Sequence, residues 1–327
     1  MGEGTRRTPL VRRTSFEGYS WLKVYCAKFH ANPAINAKLS LMAGRALGMV
    51  RDTFPGVFQK MIRILLTALA LTVSTGAAAH SFWLQPEDHT PEAGEEVLIE
   101  FKVGDAGDVN DWGLYWERIA SLRLFSPDGV VDQQRGVRTT GGDEPGSAVV
   151  SIRSEGTHIL AFESNPSFSD LEAERFNNYV KHEGLTGIAA DRTLRGTTGE
   201  NGTELYSRRA KTLLQVGEQR TRNVTRPIGQ VLEIVPLQNP FTLEPSDALD
   251  LQVLFRGQPL EGAMVSVAPL NVTASYQTFL TSADGVVRVG APSTGAMLYS
   301  VVWGVPAPND ARADYFTIFA SLTVASE

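Results

Sequence analysis

Cysteine is almost missing from this chain. The single one, Cys26, lies near the start, so everything after it has no disulfide, no thiolate metal ligand and no thiol nucleophile. Long hydrophobic runs are missing too. The longest, residues 64–73, is broken by Thr67 and Thr72 and reaches only half of the ~20 residues that a membrane-spanning helix needs. Histidine is scarce, with five in 327 residues. There is no Gly-x-Ser-x-Gly elbow, no His-Glu-x-x-His helix, no Gly-rich phosphate loop and no internal repeat. The carboxylates form no pair with readable acid and base roles. These absences favour a protein that is not an enzyme.

What is present begins with an export signal. Met61-Ile62-Arg63 is a short basic segment, residues 64–73 are apolar, and Ala77-Ala78-Ala79 satisfies the small-x-small rule for cleavage after Ala79. The pattern predicts a signal peptide over 61–79 and a mature chain that starts at His80, in the periplasm or secreted. Residues 1–60 precede this signal and carry ten Lys/Arg against three Asp/Glu. They are expected to be a non-structural leader from a start codon placed too early, with a genuine basic leader as the alternative.

Beyond residue 79 the balance reverses, with 19 Lys/Arg against 33 Asp/Glu and a net charge of −14. So acidic a surface repels phosphate backbones, which argues against a nucleic-acid partner. It is compatible with attracting cations, and equally with solubility alone. No later stretch can span a membrane.

The mature sequence reads as all-β. Val97, Ile99, Phe101 and Val103 alternate, as do Leu249, Leu251, Val253 and Phe255, each set lining one face of a strand. Short apolar runs recur at 122–125, 148–153, 157–163, 263–267, 298–303 and 315–324, separated by turns such as Ser126-Pro127-Asp128-Gly129 and Ser282-Ala283-Asp284-Gly285. The last of these turns reads as a hairpin, as does 154–156. One region departs from the pattern. Ser169 and Glu172 have capping-box spacing, and Phe176, Tyr179 and Val180 share a helical face, predicting a helix over 171–183. Residues 187–203 read as an exposed loop, and 206–216 as a strand. The expected architecture is two Ig-like or prealbumin-like β-sandwiches. The first spans 80–236, with a helical and loop insertion near 167–205; the second spans 237–327.

Several landmarks occur together in order. They are Ala79-His80-Ser81-Phe82-Trp83-Leu84-Gln85-Pro86, Phe176-Asn177-Asn178-Tyr179-Val180-Lys181-His182-Glu183-Gly184-Leu185, and Tyr206-Ser207-Arg208-Arg209-Ala210-Lys211-Thr212-Leu213-Leu214-Gln215-Val216-Gly217. Leu232-Glu233-Ile234-Val235-Pro236, Val253-Leu254-Phe255-Arg256-Gly257-Gln258-Pro259-Leu260 and Ser282-Ala283-Asp284-Gly285 complete the set. This pattern resembles domain-of-unknown-function family 4198, exported bacterial proteins often labelled as periplasmic components of nickel or cobalt uptake systems. The C-terminal part is also similar to carboxypeptidase-regulatory and prealbumin-type modules. The resemblance implies a binding role and membrane transporter components as partners. Relatives often carry a histidine in the late strand, where this chain has Trp303.

The sharpest chemical feature is His80. Once Ala79 is removed, its α-amine and Nδ1 can chelate Ni(II), Co(II) or Cu(II) through nitrogen donors. A complete site needs more ligands. His89 and His158 are the further candidates, with His182 near a predicted helix C-terminus, where a cation is favoured. Ordinary structural roles compete at each position. Trp112, Tyr115 and Trp116 form an aromatic group that suits either a protein or glycan contact or the rim of a core. The readings left open are a metal-binding periplasmic protein, a metal-independent interaction module, and a copper-dependent oxidative enzyme.

Overall fold

In the computed structural model, the described residues are 81–105, 108–138, 145–270, 276–292, 295–307 and 312–325. They fall within one compact unit, Thr75–Glu327. The predicted leader, the signal peptide and His80 lie outside the described residues.

The strands of the first half are β1 (Ser81–Pro86), β2 (Glu96–Asp105), β3 (Asp108–Asp111), β4 (Ile119–Ser126), β5 (Gly129–Asp132), β6 (Val137–Arg138), β7 (Ser147–Ser151), β8 (Gly156–Ser164) and β9 (Ser167–Leu171). Helices α1 (Ala173–His182) and α2 (Thr186–Arg195) follow, then the long β10 (Gly202–Val216). The second half holds β11 (Leu232–Pro236), β12 (Ala248–Phe255), β13 (Gln258–Pro259), β14 (Met264–Pro269), β15 (Gln277–Leu280), β16 (Val286–Gly290), β17 (Ala296–Pro306) and β18 (Tyr315–Ala325).

These strands form three stacked sheets. The central one has nine strands, in the order β15-β14-β17-β18-β10-β8-β4-β5, with β9 beside β10. A five-stranded sheet (β1, β2, β3, β6, β7) and a four-stranded sheet (β11, β12, β13, β16) flank it. The all-β sandwich expectation therefore holds, with a helical insertion in the first half. The two halves share one sheet, because β10 and β18 pair in parallel from Glu204↔Tyr315 to Thr212↔Thr323. Each would otherwise expose an open edge of unpaired amides and carbonyls.

The central strands are buried on both faces, which is why apolar residues stand side by side along them, as in Ile159-Leu160-Ala161-Phe162 of β8. Along β8, Leu160 and Phe162 pack towards the five-stranded sheet against Phe82, Leu84, Ile99 and Phe101. Ile159 and Ala161 point the other way, towards Leu232, Ile234, Leu251 and Val253. A third cluster places Phe176, Tyr179, Val180 and Ile188 of the helices on Val302 and Tyr315. Among the described residues, no helix is long and apolar enough to cross a membrane.

Several local expectations are corrected. The residues flanking 154–156 do not form a hairpin, since β7 pairs with β2 and β6 while β8 pairs with β4 and β10. The turn at Ser282-Ala283-Asp284-Gly285 likewise passes from β15 on β14 to β16 on β12. The capping box is not made: Ser169 pairs with Glu204 in the β9–β10 ladder, and the Glu172 cap has no side-chain bond. The segment expected as a loop contains α2. Its inward face carries Ile188 and a fully buried Arg192, whose polar identity hides the amphipathic pattern. Arg192 lies 4.9 Å over the Phe176 ring, and donates to Asn177 Oδ1 at 3.0 Å and to the Glu200 carbonyl at 2.6 Å. The short strand β3, in a Gly- and Asp-rich stretch without apolar alternation, pairs with the end of β2.

The interior also holds a charged pair. Lys211 on β10 donates to Glu233 on β11 at 2.9 Å, and both side chains are 1% exposed. Glu233 further accepts from the backbone N–H groups of Ile228, Gly229 and Gln230. Burial pushes the Lys211 ammonium below its usual range, opposed by Glu233. Removing one partner strands the other charge in the interior. Lys211→Met is expected to lower the unfolding free energy by about 3 kcal/mol in urea titration. A loss below about 1 kcal/mol would show that the pair does not tie β10 to β11.

Candidate functional site

The same alternation that fills the cores leaves one strip of the central sheet polar. Thr278, Ser266, Ser300 and Ser321 are register partners across β15, β14, β17 and β18, so their side chains share a face. Their neighbours Val265, Val267, Tyr299 and Val301 point into the opposite core. Over this strip lies a cavity of about 250 Å³, lined by Met264, Ser266, Thr278 and Ser300 of the sheet. Ser81 at the start of β1, Tyr276, and His182 and Glu183 at the end of α1 complete the lining. Ser81 Oγ donates to Ser300 Oγ at 3.2 Å, fixing β1 to the floor.

Position 182 is the last residue of α1, where the free carbonyls favour a cation. The His182 side chain is 67% exposed, whereas that of Glu183 is 12% exposed. His182 Nδ1 lies 3.0 Å from Glu183 Oε1. With Nδ1–H donating to the carboxylate, Nε2 keeps its lone pair and has no protein partner among the described residues. This is the arrangement by which a carboxylate orients an imidazole for a metal. The two residues alone do not complete a coordination shell. Among the described residues, no three His, Cys, Asp or Glu side chains are grouped to hold a metal ion.

His89 and His158 lie elsewhere. His89 is buried, and its Nδ1 donates to the Leu213 carbonyl at 2.9 Å. Its own carbonyl accepts from Gln215 N at 2.8 Å. It therefore closes the edge of β10 beyond Thr212, where the pairing with β18 ends. His158 is fully buried and donates from Nε2 to the Ser154 carbonyl at 3.0 Å. The remaining ring nitrogen of each is enclosed and unpartnered. The aromatic group divides as well. Trp112 is in the core, edge-on to Phe82 at 4.8 Å, while Trp116 is 54% exposed and Tyr115 is half-buried beneath Arg118. Trp303 packs with the core on the face opposite Ser300, so its side chain does not line the cavity.

The sequence profile described as "Domain of unknown function (DUF4198)" matches residues 77–303. The chain belongs to the DUF4198 family. The matched span includes every described residue that lines the cavity. No curated protein matches this DUF4198 chain. Solved structures similar to it include the D0-D1 domain of intimin, at 11% identity over 74% of this chain and 97% of that one, with a TM-score of 0.19. Murine CEACAM1b is 10% identical over 76% of this chain and 100% of its own, with a TM-score of 0.18. A Salmonella alpha-2-macroglobulin mutant, Y1175G, is 12% identical over 76% of this chain and 15% of its own, with a TM-score of 0.21.

The cavity residues Ser266, Thr278, Ser300 and Glu183 escaped the sequence reading. A lone serine or threonine in each of β14, β15 and β17 looks ordinary in the sequence, and nothing local reveals that the three align across the sheet or that β1 and α1 approach them.

The two enclosed histidines set a pH dependence. Burial holds both rings below the ordinary imidazole range, opposed by the Leu213 and Ser154 bonds. Between each folded pKa and about 6.5, the unfolded chain binds protons that the folded one does not, so stability falls as pH drops through that window. His89→Asn and His158→Gln keep an N–H donor but do not titrate. Each is expected to show a smaller loss of unfolding free energy between pH 7.5 and 5.5 than the parent protein. An unchanged slope in both variants would contradict this assignment.

Proposed function

We propose that the protein is an exported, non-enzymatic binding protein that takes up a transition metal ion in the cleft between β1, α1 and the central sheet. The supporting observation is the His182–Glu183 pair, in which the carboxylate orients the imidazole and leaves Nε2 as a donor at the cleft. His80, expected to bear the mature α-amine, precedes cleft residue Ser81 in the chain and is proposed to supply the terminal nitrogen donors. Nitrogen donors of this kind suit nickel, cobalt or copper ions. The acidic balance of the mature chain is compatible with accumulating such cations. In this reading the protein delivers its metal to membrane components of an uptake system from the periplasm or the cell exterior.

A non-catalytic role agrees with where the burial-shifted groups lie. Glu204 and Tyr179 are bonded to each other and to Thr317 in the interior, and Lys211 to Glu233. The second reading, a metal-independent glycan or protein contact, draws on the exposed Trp116.

Titration of the processed protein with Ni(II), Co(II) and Cu(II), its N-terminus verified by intact mass, tests the proposal. One ion per chain is expected to bind, with affinity falling at least tenfold in both His80→Ala and His182→Ala. Loss only in His80→Ala would remove the cleft from the site. No binding above the variants' background, with glycan binding abolished by Trp116→Ala, would favour the second reading.

A further inference from the structure

Arg208, on β10, stands where two aromatic clusters meet. Its guanidinium carbon lies 5.4 Å from the Phe82 ring and 5.3 Å from the Trp112 ring on the side of the five-stranded sheet. It lies 5.3 Å from Tyr206 and 5.8 Å from Phe319, and Phe319 in turn stacks on Tyr179 of α1. The side chain is half-buried, and Nε is enclosed with no hydrogen-bond partner. Among the described residues, its guanidinium donates to no acceptor and joins no salt bridge.

Some other arginines in the fold are paired with carboxylates. Arg209 reaches Glu163 and the Ser164 carbonyl, Arg195 reaches Asp191 and Asp314, and Arg288 makes two bonds to Asp250. The carboxylate that acts on Arg208, Glu204, is already engaged, since its Oε2 accepts from Thr317 at 2.6 Å and Tyr179 at 3.3 Å. A second cation, Arg118, lies 5.5 Å from the same Trp112 ring and donates to the Gly113 carbonyl at 3.5 Å. Ring faces attract a guanidinium but accept none of its in-plane N–H bonds. A partly desolvated cation beside a second cation, with its fork unfilled, lacks an anion.

We propose that Arg208 anchors a binding site for a small oxyanion, a carboxylate or a phosphate, at the junction of β1, β10 and β18. The planar fork matches either group in bidentate geometry. The position is close to the metal cleft yet separate from it. Arg208, Phe319 and Val302 are register partners, and Ser300 of the cleft lies two residues along β17 on the same face. The anion site does not depend on the metal reading, and the two can fail separately.

The test uses metal-free protein at low ionic strength, titrated by calorimetry with acetate, inorganic phosphate and, as reference, chloride. Saturable binding of acetate or phosphate is expected, weakened about tenfold or more in Arg208→Met. On the parent protein, phenylglyoxal labelling of Arg208 is followed by mass spectrometry, which needs no variant. The bound anion is expected to slow labelling at Arg208 but not at Arg288. Protection by acetate alone assigns a carboxylate ligand, and protection by phosphate alone a phosphate ligand. No saturable binding beyond chloride, or unchanged labelling of Arg208 with both anions, would overturn the proposal.

Discussion

The parallel ladder between β10 and β18 is the contact on which the rest of the molecule depends. Parallel neighbours cannot be joined by a tight turn, so this pairing closes only after the chain has built its second half. It joins sequence positions more than a hundred residues apart, from Glu204↔Tyr315 to Thr212↔Thr323. Two sandwiches that could have stood side by side instead share a single wall. The wall buries apolar side chains on both faces at β8 and β10, and each face is covered by a different sheet. The Lys211–Glu233 pair lies on the four-stranded-sheet side of this junction, just below the end of the ladder.

The ladder also determines where polar surface survives. On one face of the central sheet, the five-stranded sheet covers the β4–β8–β10 end and the helices cover the start of β10 and β18 and the end of β17. Neither extends fully over the hydroxyl strip on β14, β15 and β17, and the gap left between β1, α1 and that strip becomes the cleft. The junction between the two covers is where Arg208 stands. Both candidate ligand positions thus arise from one geometric fact: two covering layers of limited width lie on a sheet too broad for them.

How much of this was legible in the sequence follows from the range of each interaction. Period-two alternation in 249–255 marks β12, and the turn at 126–129 marks the β4–β5 hairpin, because both are local. The α1 face of Phe176, Tyr179 and Val180 was readable for the same reason. Helix α2 was not, since its inward position 192 is an arginine stacked on Phe176. Partner choice was misread at 154–156 and 282–285, because a turn signal shows that the chain reverses but not which sheet receives it. His182 was visible as a residue at a helix end. Its alignment by Glu183 and its approach to Ser81 and Ser300 depend on long-range packing. Arg208 sits in the run Ser207-Arg208-Arg209-Ala210, where two adjacent arginines read as solvated charge, although they face opposite sides of the sheet.

Native-state hydrogen exchange under increasing denaturant tests the shared wall most directly. If β10 and β18 bind the halves into one unit, peptides from 81–216 and from 232–325 lose protection together, at the same denaturant concentration. The contradicting result is separate opening: protection lost across 232–325 while β8 and β10 stay protected. The β10–β18 ladder would then be a dispensable contact, and the cleft could not owe its shape to it.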